Sequence, residues 1–481
     1  MKPSYHTIVS FLQEQTQKYP QAPCLGGVSG WLDRQTVQTL VEHTASALVR
    51  LGICEGTEIA FPIARNAEAS IMLLALRAAG AVAVLTDPRR KVSEFLKECS
   101  EQIPVQAVIM QEDKTVFRIC FPDREEKLDL YALSPADTAM LKSDASCPAF
   151  VIFTSGSTGK SKAVVLSESC LVNDLLDTQA LGMYYPDDRA LGAIPLHHVF
   201  GLVLLVGVAV LGYGLYYPEK MEIPVLLQAV EKEKLTRMNG VPSLYLALAD
   251  QSEGYDLRSL RAGFIGGGPV SKEQFVYIEA KLEMTLISAY GMSECIGISC
   301  SSWKDPQAVR AGGVGPFYPT NIGRILRENG TEASVGEEGE ICVRGPTRML
   351  GYYGHLLPEQ ELLHTGDLGY LDENGVLHIS GRKKDIIIRN GNNLSARKIE
   401  EVLLSVPTIK AAAVVGLADE RQGEIPAAMI VGEIDMTVLG ELLQKNEMPV
   451  LVMTVDSLPM TTSGKTDKMK VREELTKWRN G

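Results

Sequence analysis

The chain has 481 residues, of which 45% are hydrophobic and 22% are charged, and its formal net charge at pH 7 is −12. A chain of this length exceeds what one simple core can organise, so we expect two or more domains. The composition is typical of a soluble globular protein. An acidic chain without a stripe of Lys and Arg interleaved with aromatic residues argues against nucleic acid as a partner.

The nine cysteines are dispersed along the chain, and none stands in a C-x-x-C pair. An odd, scattered set favours reduced thiols over a disulfide framework or a zinc site. The first ten residues, MKPSYHTIVS, lack the apolar core of a signal peptide. We therefore expect a cytoplasmic protein.

Helical and strand patterns alternate from the N-terminus onward. We expect Asp33 to cap an amphipathic helix that ends at Gly52, and a second helix to span Ala67–Ala79. Buried strands are expected at Ala81–Leu85 and Val105–Met110. Continuous apolar strands placed between helices predict an α/β sheet covered on both faces.

A loop of small and hydroxyl residues lies between two apolar runs within Phe150–Leu166. Its residues are Thr154, Ser155, Gly156, Ser157, Thr158 and Gly159, followed by Lys160 and Lys162. Free backbone N–H groups, little side-chain bulk and two cations suit an anion with several oxygens, most simply a polyphosphate. A flexible surface turn is the alternative for such a tract.

This loop does not satisfy the Walker A pattern. That pattern requires Gly where Thr154 stands, and its loop opens directly into a helix. Here Ala163–Leu166 is a short apolar run that favours a strand. The sequence therefore predicts a strand–loop–strand cradle.

The segment Val199–Tyr217 is apolar throughout and is long enough to span a bilayer. Glycines interrupt it at four positions, which are Gly201, Gly207, Gly212 and Gly214. No basic flank marks a cytoplasmic end. We expect a buried helix and a buried strand joined by a turn, and no membrane span.

The stretch TSGSTGKSK resembles the phosphate loop of the ANL superfamily of adenylate-forming enzymes, which includes acyl-CoA synthetases, nonribosomal adenylation domains and luciferases. The family usually has Pro-Lys-Gly where this chain has Ser161-Lys162-Ala163, so the lysine is kept. The motifs described below follow in the family's order over nearly the whole chain. The resemblance implies that Thr154–Gly159 and Lys162 bind the nucleotide, with ATP and Mg²⁺ as cofactors.

Two further segments match strong motifs of the family. In Phe264–Val270, glycines would let a flat group approach the backbone closely, although a plain loop is equally compatible. The resemblance places this GG-x-P motif beside the adenine. The residues concerned are Gly267, Gly268 and Pro269.

The segment Ala289–Glu294 joins an aromatic ring, a hydroxyl and a carboxylate. Tyr290 can stack on a base, and Ser293 and Glu294 can reach a phosphate and its Mg²⁺, although an ordinary turn is the alternative. The resemblance implies that Tyr290 and Gly291 contact the adenine. It also implies that Glu294 supports the metal, with Thr158 as a second ligand.

Two adjacent histidines precede the apolar helix in the stretch PLHHVFG. Alone, such a pair is more often a core or surface feature, and no Glu or Cys at ligand spacing indicates a metal. The family motif places His198 beside the substrate carboxylate. Amino-acid adenylation domains usually carry an Asp here, and a buried ammonium needs such a counter-charge, so an α-amino acid is not expected. The expected acid pocket consists of His198, Phe200, Val241, Ala289, Met292 and Ile296.

The segment His364–Gly369 places Asp367 on a glycine turn at a predicted strand end. A carboxylate there can bind vicinal ribose hydroxyls, whereas an Asx turn is the alternative. The family's TGD motif places Asp367 on the ribose.

A charged break at Gly381–Asp385 separates two predicted strands, and a hairpin with solvated charges is the alternative. In the family this GR-x-K motif marks a hinge, with Arg382 on the ribose and Lys384 as the pivot. We therefore expect an N-terminal domain at 1–381 and a C-terminal lid domain at 382–481. The family's adenylation lysine lies in an S-G-K turn, which implies Lys465, although loop lysines are usually only solvated.

The fold class expected is α/β: a large N-terminal domain of helix-covered β-sheets with a β-rich subdomain, and a small mobile α+β C-terminal domain. The activity implied is ligation of an acyl or aryl acid to coenzyme A through acyl-AMP, with Lys465, His198 and Glu294 as catalytic residues. Transfer to the phosphopantetheine of an acyl-carrier protein is one alternative. A P-loop kinase or NTPase and a non-catalytic nucleotide-binding protein are others.

Overall fold

The computed structural model describes residues 6–99, 103–134, 144–154, 161–434, 436–461 and 466–480. Two predicted sites lie outside these ranges. They are Ser155–Gly159 of the phosphate loop, with its predicted metal ligand Thr158, and Lys465.

The first part of the chain alternates helices and strands. In chain order its elements are α1 (Ile8–Lys18), β1 (Pro23–Gly27), β2 (Gly30–Asp33), α2 (Arg34–Arg50), β3 (Glu58–Pro62), α3 (Ala67–Ala78), β4 (Val82–Thr86), α4 (Val92–Cys99), β5 (Ala107–Gln111), β6 (Val116–Cys120), β7 (Glu125–Asp129), β8 (Pro148–Thr154), β9 (Lys162–Ser167) and α5 (Glu168–Ala180).

The middle part continues this alternation. Its elements are β10 (Arg189–Leu191), α6 (Val199–Val210), β11 (Gly214–Tyr216), α7 (Ile223–Glu233), β12 (Arg237–Met238), α8 (Pro242–Asp250), β13 (Ala262–Ile265), α9 (Lys272–Leu282), β14 (Thr285–Met292), β15 (Cys295–Cys300) and α10 (Gln307–Gly312).

The last part is richer in strands. Its elements are β16 (Ile322–Leu326), β17 (Gly339–Arg344), β18 (Gly351–Tyr352), β19 (His355–Leu356), β20 (Leu363–Leu371), β21 (Leu377–Arg382), a 3₁₀ turn (Lys383–Asp385), β22 (Ile386–Arg389), β23 (Asn392–Ser395), α11 (Ala396–Leu404), β24 (Ile409–Asp419), β25 (Gly423–Gly432), α12 (Met436–Leu442), β26 (Leu451–Thr454) and α13 (Lys468–Asn480).

Two large sheets form the body of the molecule. The nine-stranded sheet has the order β19-β18-β9-β8-β4-β3-β5-β6-β7, and the eight-stranded sheet has the order β15-β14-β13-β12-β10-β11-β1-β2. Strands β8, β4, β3 and β5 run parallel, as do β14, β13, β12, β10, β11 and β1. Helices α1, α2, α3, α5 and α6 share one apolar core with strands of both sheets.

Local sequence signals account for most of these elements. Asp33 caps α2, because its side chain accepts the amide of Thr36 at 2.7 Å. Gly52, with φ +92°, follows the end of that helix. Strand β5 starts two residues later than predicted, because the Val105 amide donates to the carbonyl of Ile103 in a tight turn.

The apolar segment Val199–Tyr217 is a buried helix and a buried strand, as predicted. Helix α6 is apolar on every face and packs into the core, and Gly212 turns the chain toward β11 with φ +77°. Across the part of the chain that the structure describes, no helix combines the length and the apolar character needed to cross a membrane.

Two smaller sheets follow. Strands β16, β17, β20 and β21 form a four-stranded antiparallel sheet in this order, which is the predicted β-rich subdomain. Strands β23, β22, β25 and β24 form the sheet of the C-terminal part, and β26 pairs with β25. Helices α11 and α13 pack on this last sheet through Ile399, Leu403, Val471 and Leu475.

Asp174 on α5 is a buried carboxyl in this core. Burial, reinforced by the nearby Asp177, raises the pKa of Asp174 from 3.8 to about 7. A folded-state pKa above the unfolded value means that the native state holds the proton more tightly. Its contribution to stability is therefore lost as pH rises from about 4 to 7.

We expect Asp174→Asn to remove this loss, because the amide carries no titrating proton. The free energy of unfolding of the variant relative to wild type should rise by on the order of a few kcal/mol between pH 5 and pH 8. Urea denaturation at both pH values measures the difference. The exposed Asp187, exchanged for Asn, is the control; an equal change in both variants would exclude Asp174 as its source.

Candidate active site

One side-chain approach connects segments that follow parallel strands of the two large sheets. Strands β10, β12 and β13 end where the predicted pocket segments begin, and β4 and β8 end at the corresponding edge of the nine-stranded sheet. His197, which follows β10, lies 3.9 Å from Asp87, which follows β4, measured from Nε2 to Oδ2. Ligands of open α/β sheets bind at this edge, so the region around these strand ends is the candidate site.

The two strands that flank the phosphate loop pair with each other. Thr154 on β8 pairs with Lys162 on β9 in an antiparallel register, so the segments before and after the loop are strands, as predicted. The Lys162 ammonium lies 4.9 Å from the centre of the Tyr352 ring. This cation is therefore held at the mouth of the loop by an aromatic face.

Glu294 lies at the same place. It is 8% exposed and stands in the two-residue turn between β14 and β15. The Tyr352 hydroxyl donates to Glu294 Oε1 at 3.0 Å, and the Met349 amide donates to the Glu294 carbonyl at 2.9 Å. One tyrosine thus links the predicted metal ligand Glu294 to the predicted phosphate-binding Lys162.

A second corner gathers the predicted nucleoside-binding residues. The Tyr290 hydroxyl donates to Asp367 Oδ2 at 2.7 Å, and Arg382 Nε lies 2.9 Å from Asp367 Oδ1. Burial, and then the negative charge of Asp367, raises the pKa of Tyr290, so this hydroxyl stays protonated and donates. Each Asp367 oxygen keeps a lone pair for a further donor, as two vicinal hydroxyls require.

Asp367 differs in one respect from the sequence prediction. It lies inside the nine-residue strand β20, not at a strand end. Glycine at 366 adopts φ +73°, and the register between β17 and β20 shifts here, so the strand bulges at Asp367. A bulge re-aims a side chain without ending the strand, which explains how Asp367 reaches Tyr290.

The glycine-rich segment after β13 approaches the predicted pocket residue Ala289 closely. A Cβ atom on Gly266 would lie 2.8 Å from the carbonyl oxygen of Ala289, so only glycine fits there. Gly267 has φ +78° and turns the chain out of the sheet. Gly268 and Pro269 continue from this turn, after strand β13, which pairs with the strand that carries Tyr290.

The two histidines occupy different environments. His198 stands at the N-cap of α6, whereas His197 is buried with its ring centre 4.3 Å from that of His198. Burial, and then the neighbouring His198, lowers the pKa of His197 to about 4, so it is neutral at physiological pH. The bond with Arg89 is the main cause that lowers the pKa of Asp87 to about 2. His197 therefore lies neutral between His198 and the ionised Asp87.

The other predicted acid-pocket residues fall in different parts of the core. Phe200, Ala289 and Ile296 are half-buried and pack against the main core, while Met292 packs in the cluster that contains Tyr290. Val241 is the N-cap of α8, at the carboxyl edge of β12. Their surfaces are apolar, which suits the hydrocarbon part of an acid.

Comparison with known proteins agrees with this geometry. The family model described as AMP-binding enzyme matches residues 12–353, and the model described as AMP-binding enzyme C-terminal domain matches residues 398–465. The chain belongs to the AMP-binding enzyme family. Membership of the adenylate-forming superfamily, predicted from the phosphate loop, is confirmed.

Its relatives in this family include ligases of aromatic acids. The 2-succinylbenzoate–CoA ligase of Bacillus cereus strain AH820 is 30% identical over 464 residues, which cover 91% of this chain and 92% of the relative. The 4-coumarate–CoA ligase 2 of Petroselinum crispum is 28% identical over 517 residues, which cover 98% of this chain and 95% of the relative.

Solved structures confirm the predicted fold class. The o-succinylbenzoate CoA synthetase of Bacillus subtilis, in complex with its acyl-adenylate intermediate, superposes with a TM-score of 0.82 at 24% identity. The match covers 97% of each chain. An ATP-bound chimera named RpMatB-BxBclM B3 superposes with a TM-score of 0.83 at 25% identity, over 97% of this chain and 98% of the chimera.

The residues of this AMP-binding enzyme fit the cofactors that the family implies. Glu294 supplies a carboxylate oxygen of the kind that Mg²⁺ prefers, and Lys162 supplies a cation over the Tyr352 ring, whose hydroxyl contacts Glu294. The remaining loop residues, including the predicted ligand Thr158, lie outside the described residues. Their roles, like those of the other site residues, stay predictions.

Some residues of the site were not singled out from the sequence. Tyr352, Asp87 and Glu340 each bond to a predicted site residue or to its neighbour. The position of Asp87 after β4, at the edge of a parallel sheet, was a usable signal. Tyr352 follows a glycine in a short strand, and no local pattern marks it.

Proposed function

We propose that the protein is an ATP-dependent acid–thiol ligase that converts a carboxylic acid to acyl-AMP and then transfers the acyl group to coenzyme A. One observation carries this proposal. The phosphate and metal corner, formed by Lys162 and Glu294, is joined to the nucleoside corner, formed by Tyr290, Asp367 and Arg382, by strand β14, which carries Tyr290 and ends at the turn that holds Glu294. A nucleoside triphosphate has these two parts, and the family membership supports the same ligand.

In the first step a carboxylate oxygen of the acid attacks the α-phosphorus of ATP. The bond from this phosphorus to the bridging oxygen breaks, and pyrophosphate leaves. No protein nucleophile is required, so the residues act through positioning and charge. Bound Mg²⁺ supplies charge neutralisation on the phosphate oxygens, held by Glu294. Lys162 faces the departing pyrophosphate, and Lys465 from the C-terminal domain bridges the acid and the α-phosphate.

In the second step the sulfur of coenzyme A attacks the acyl carbon. The carbon–sulfur bond forms, the bond to the AMP oxygen breaks, and AMP leaves. A lysine that bridges the acid and the α-phosphate would block the thiol, so we propose that the C-terminal domain rotates between the steps. We place the pivot at Lys384, with the domains at 1–381 and 382–481.

The acid we propose is an acyl or aryl acid and not an α-amino acid. The predicted pocket residues other than His198 are apolar, and the stretch PLHHVFG offers no carboxylate for an ammonium. The neutral His197 and the N-cap position of His198 favour a carboxylate at the start of α6. The names of the relatives, which specify succinylbenzoate and coumarate, support an aromatic acid.

A panel of acids tests the proposal. The purified chain is incubated with ATP, Mg²⁺ and each acid, with and without coenzyme A, and pyrophosphate and AMP are quantified. We expect acid-dependent pyrophosphate release for at least one aryl or medium-chain acid, and a coenzyme A thioester only when the thiol is present. ATP cleavage to ADP would favour a kinase or NTPase, and ATP binding without pyrophosphate release would favour a non-catalytic protein.

A further inference from the structure

The carboxylate of Glu340 on β17 connects two parts of the candidate site. Its Oε1 accepts the amide of Gly366 at 3.2 Å, in the turn that carries Asp367. Its Oε2 lies 3.4 Å from Lys383 Nζ and 3.2 Å from His364 Nδ1. One side chain therefore contacts both the nucleoside corner and the residue before the proposed pivot.

The residues before and after Lys384 form ion pairs with different domains. Before it, Arg382 bonds to Asp367 and Lys383 to Glu340, and both carboxylates belong to the sheet of β17 and β20. After it, Asp385 lies 3.6 Å from Lys468 Nζ, on α13 of the C-terminal domain. The backbone at Lys384 is therefore anchored to one domain on its N-terminal side and to the other on its C-terminal side.

Glu340 is placed to keep its charge in this arrangement. Burial alone would raise its pKa, but the hydrogen bond with His364 and the charge of Lys383 hold the pKa below its ordinary value. The carboxylate is 14% exposed, so its contacts are only partly screened by solvent. An ionised and largely buried carboxylate is suited to accept a hydrogen bond from the Gly366 amide and to pair with Lys383.

The same region could instead bind a metal. Oxygen, sulfur and nitrogen atoms of Glu340, Cys342 and His364 lie within 4.8 Å of one another, and zinc accepts such a ligand set. However, Gly366 and Lys383 already contact both oxygens of Glu340. The observed contacts are thus accounted for without a metal ion.

We infer that Glu340 is a positioning residue that orients the Gly366–Asp367 turn toward the nucleotide and, through Lys383, restrains the hinge in the domain orientation seen here. This inference rests on the proposed function for its role in the reaction. Two separable consequences follow. Loss of the Glu340 oxygen that accepts the Gly366 amide should weaken ATP binding. Loss of the Glu340–Lys383 ion pair should make the hinge more mobile.

Three variants separate these consequences. Glu340→Ala removes both contacts and should raise the Kd for ATP about tenfold, as expected for a lost hydrogen bond to a charged acceptor. Glu340→Gln keeps an oxygen for the Gly366 amide and should restore the Kd to within about twofold of wild type. Lys383→Met leaves the turn untouched and should not change the Kd.

Amide hydrogen exchange measures the mobility of the hinge directly. In Glu340→Gln and Lys383→Met, the amides of residues 383–388 should exchange about two- to fivefold faster than in wild type, the range expected for a partly exposed ion pair. Lys398→Met is the matched control, because Lys398 and Glu447 are 58% and 12% exposed, nearly as Lys383 and Glu340 are at 55% and 14%. That pair lies within the C-terminal domain and should leave the hinge unchanged.

Several outcomes would overturn the inference. They are an unchanged Kd in Glu340→Ala, hinge exchange in Lys383→Met no faster than in Lys398→Met, or stoichiometric zinc bound through Glu340 in the purified protein. If Glu340→Ala does not fold, hydrogen exchange in Glu340→Gln and Lys383→Met still tests whether the ion pair restrains the hinge. Neither readout requires turnover, so a wild-type protein that binds ATP but forms no AMP would contradict the proposed function alone.

Discussion

Replacement of Lys465 by Ala should slow acid-dependent pyrophosphate release by about 10²- to 10³-fold, the cost of removing one preorganised charge donor from a transition state. The proposed reaction has no protein nucleophile, so the cation that bridges the acid and the α-phosphate supplies much of the stabilisation. Fixed-time assays of pyrophosphate release at saturating acid and ATP measure this rate.

The second half-reaction distinguishes a specific role of Lys465 in adenylation from a general loss of activity. When synthetic acyl-AMP and coenzyme A are supplied, the Lys465→Ala variant should form thioester at close to the wild-type rate, because the lysine acts only in adenylation. Lys470→Ala is the control, since Lys470 is a 61%-exposed lysine on α13 that pairs only weakly with Asp467. Equal losses in both half-reactions would reject the assignment of Lys465.

Replacement of Glu294 by Gln should have the second largest effect. The amide keeps the acceptor for the Tyr352 hydroxyl and nearly the same shape, but it loses the charge that a Mg²⁺ ligand requires. We expect adenylation to fall about 10²-fold, as for other lost electrostatic contacts to a transition state. The Mg²⁺ concentration for half-maximal rate should rise in parallel, which a Mg²⁺ titration of the initial rate measures.

Tyr352→Phe provides a graded comparison for Glu294. It removes only the hydroxyl that donates to the Glu294 carboxylate at 3.0 Å, and it keeps the ring beneath Lys162. The expected loss is about tenfold, the lower end for a hydrogen bond to a charged group. An unchanged Mg²⁺ dependence in Glu294→Gln would show that this carboxylate does not serve the metal.

Much of the fold could be predicted from local patterns. Continuous apolar strands between capped helices predicted the α/β sheets, and Asp33 caps α2 as expected because a cap depends only on residues three positions apart. The glycines within Val199–Tyr217 correctly predicted a buried helix and strand. These features need no knowledge of distant residues.

The site was less accessible from the sequence, because its contacts depend on register between distant strands. Asp367 was expected at a strand end, but pairing with β17 and β21 continues the strand on both sides of a bulge. The bonds from Tyr352 to Glu294 and from Gly366 to Glu340 join residues 58 and 26 positions apart. No local pattern encodes such pairs, and the adjacent His197 and His198 could not be assigned to a buried and a partly buried position without the fold.

An oxygen-labelling measurement tests the central claim most directly. An acid substrate carrying ¹⁸O in its carboxylate is incubated with ATP, Mg²⁺ and coenzyme A, and the products are analysed by mass spectrometry. If the carboxylate attacks the α-phosphorus and a thiol then displaces AMP, the AMP carries a single ¹⁸O from the acid. Unlabelled AMP, or label in inorganic phosphate together with ADP, would contradict the account.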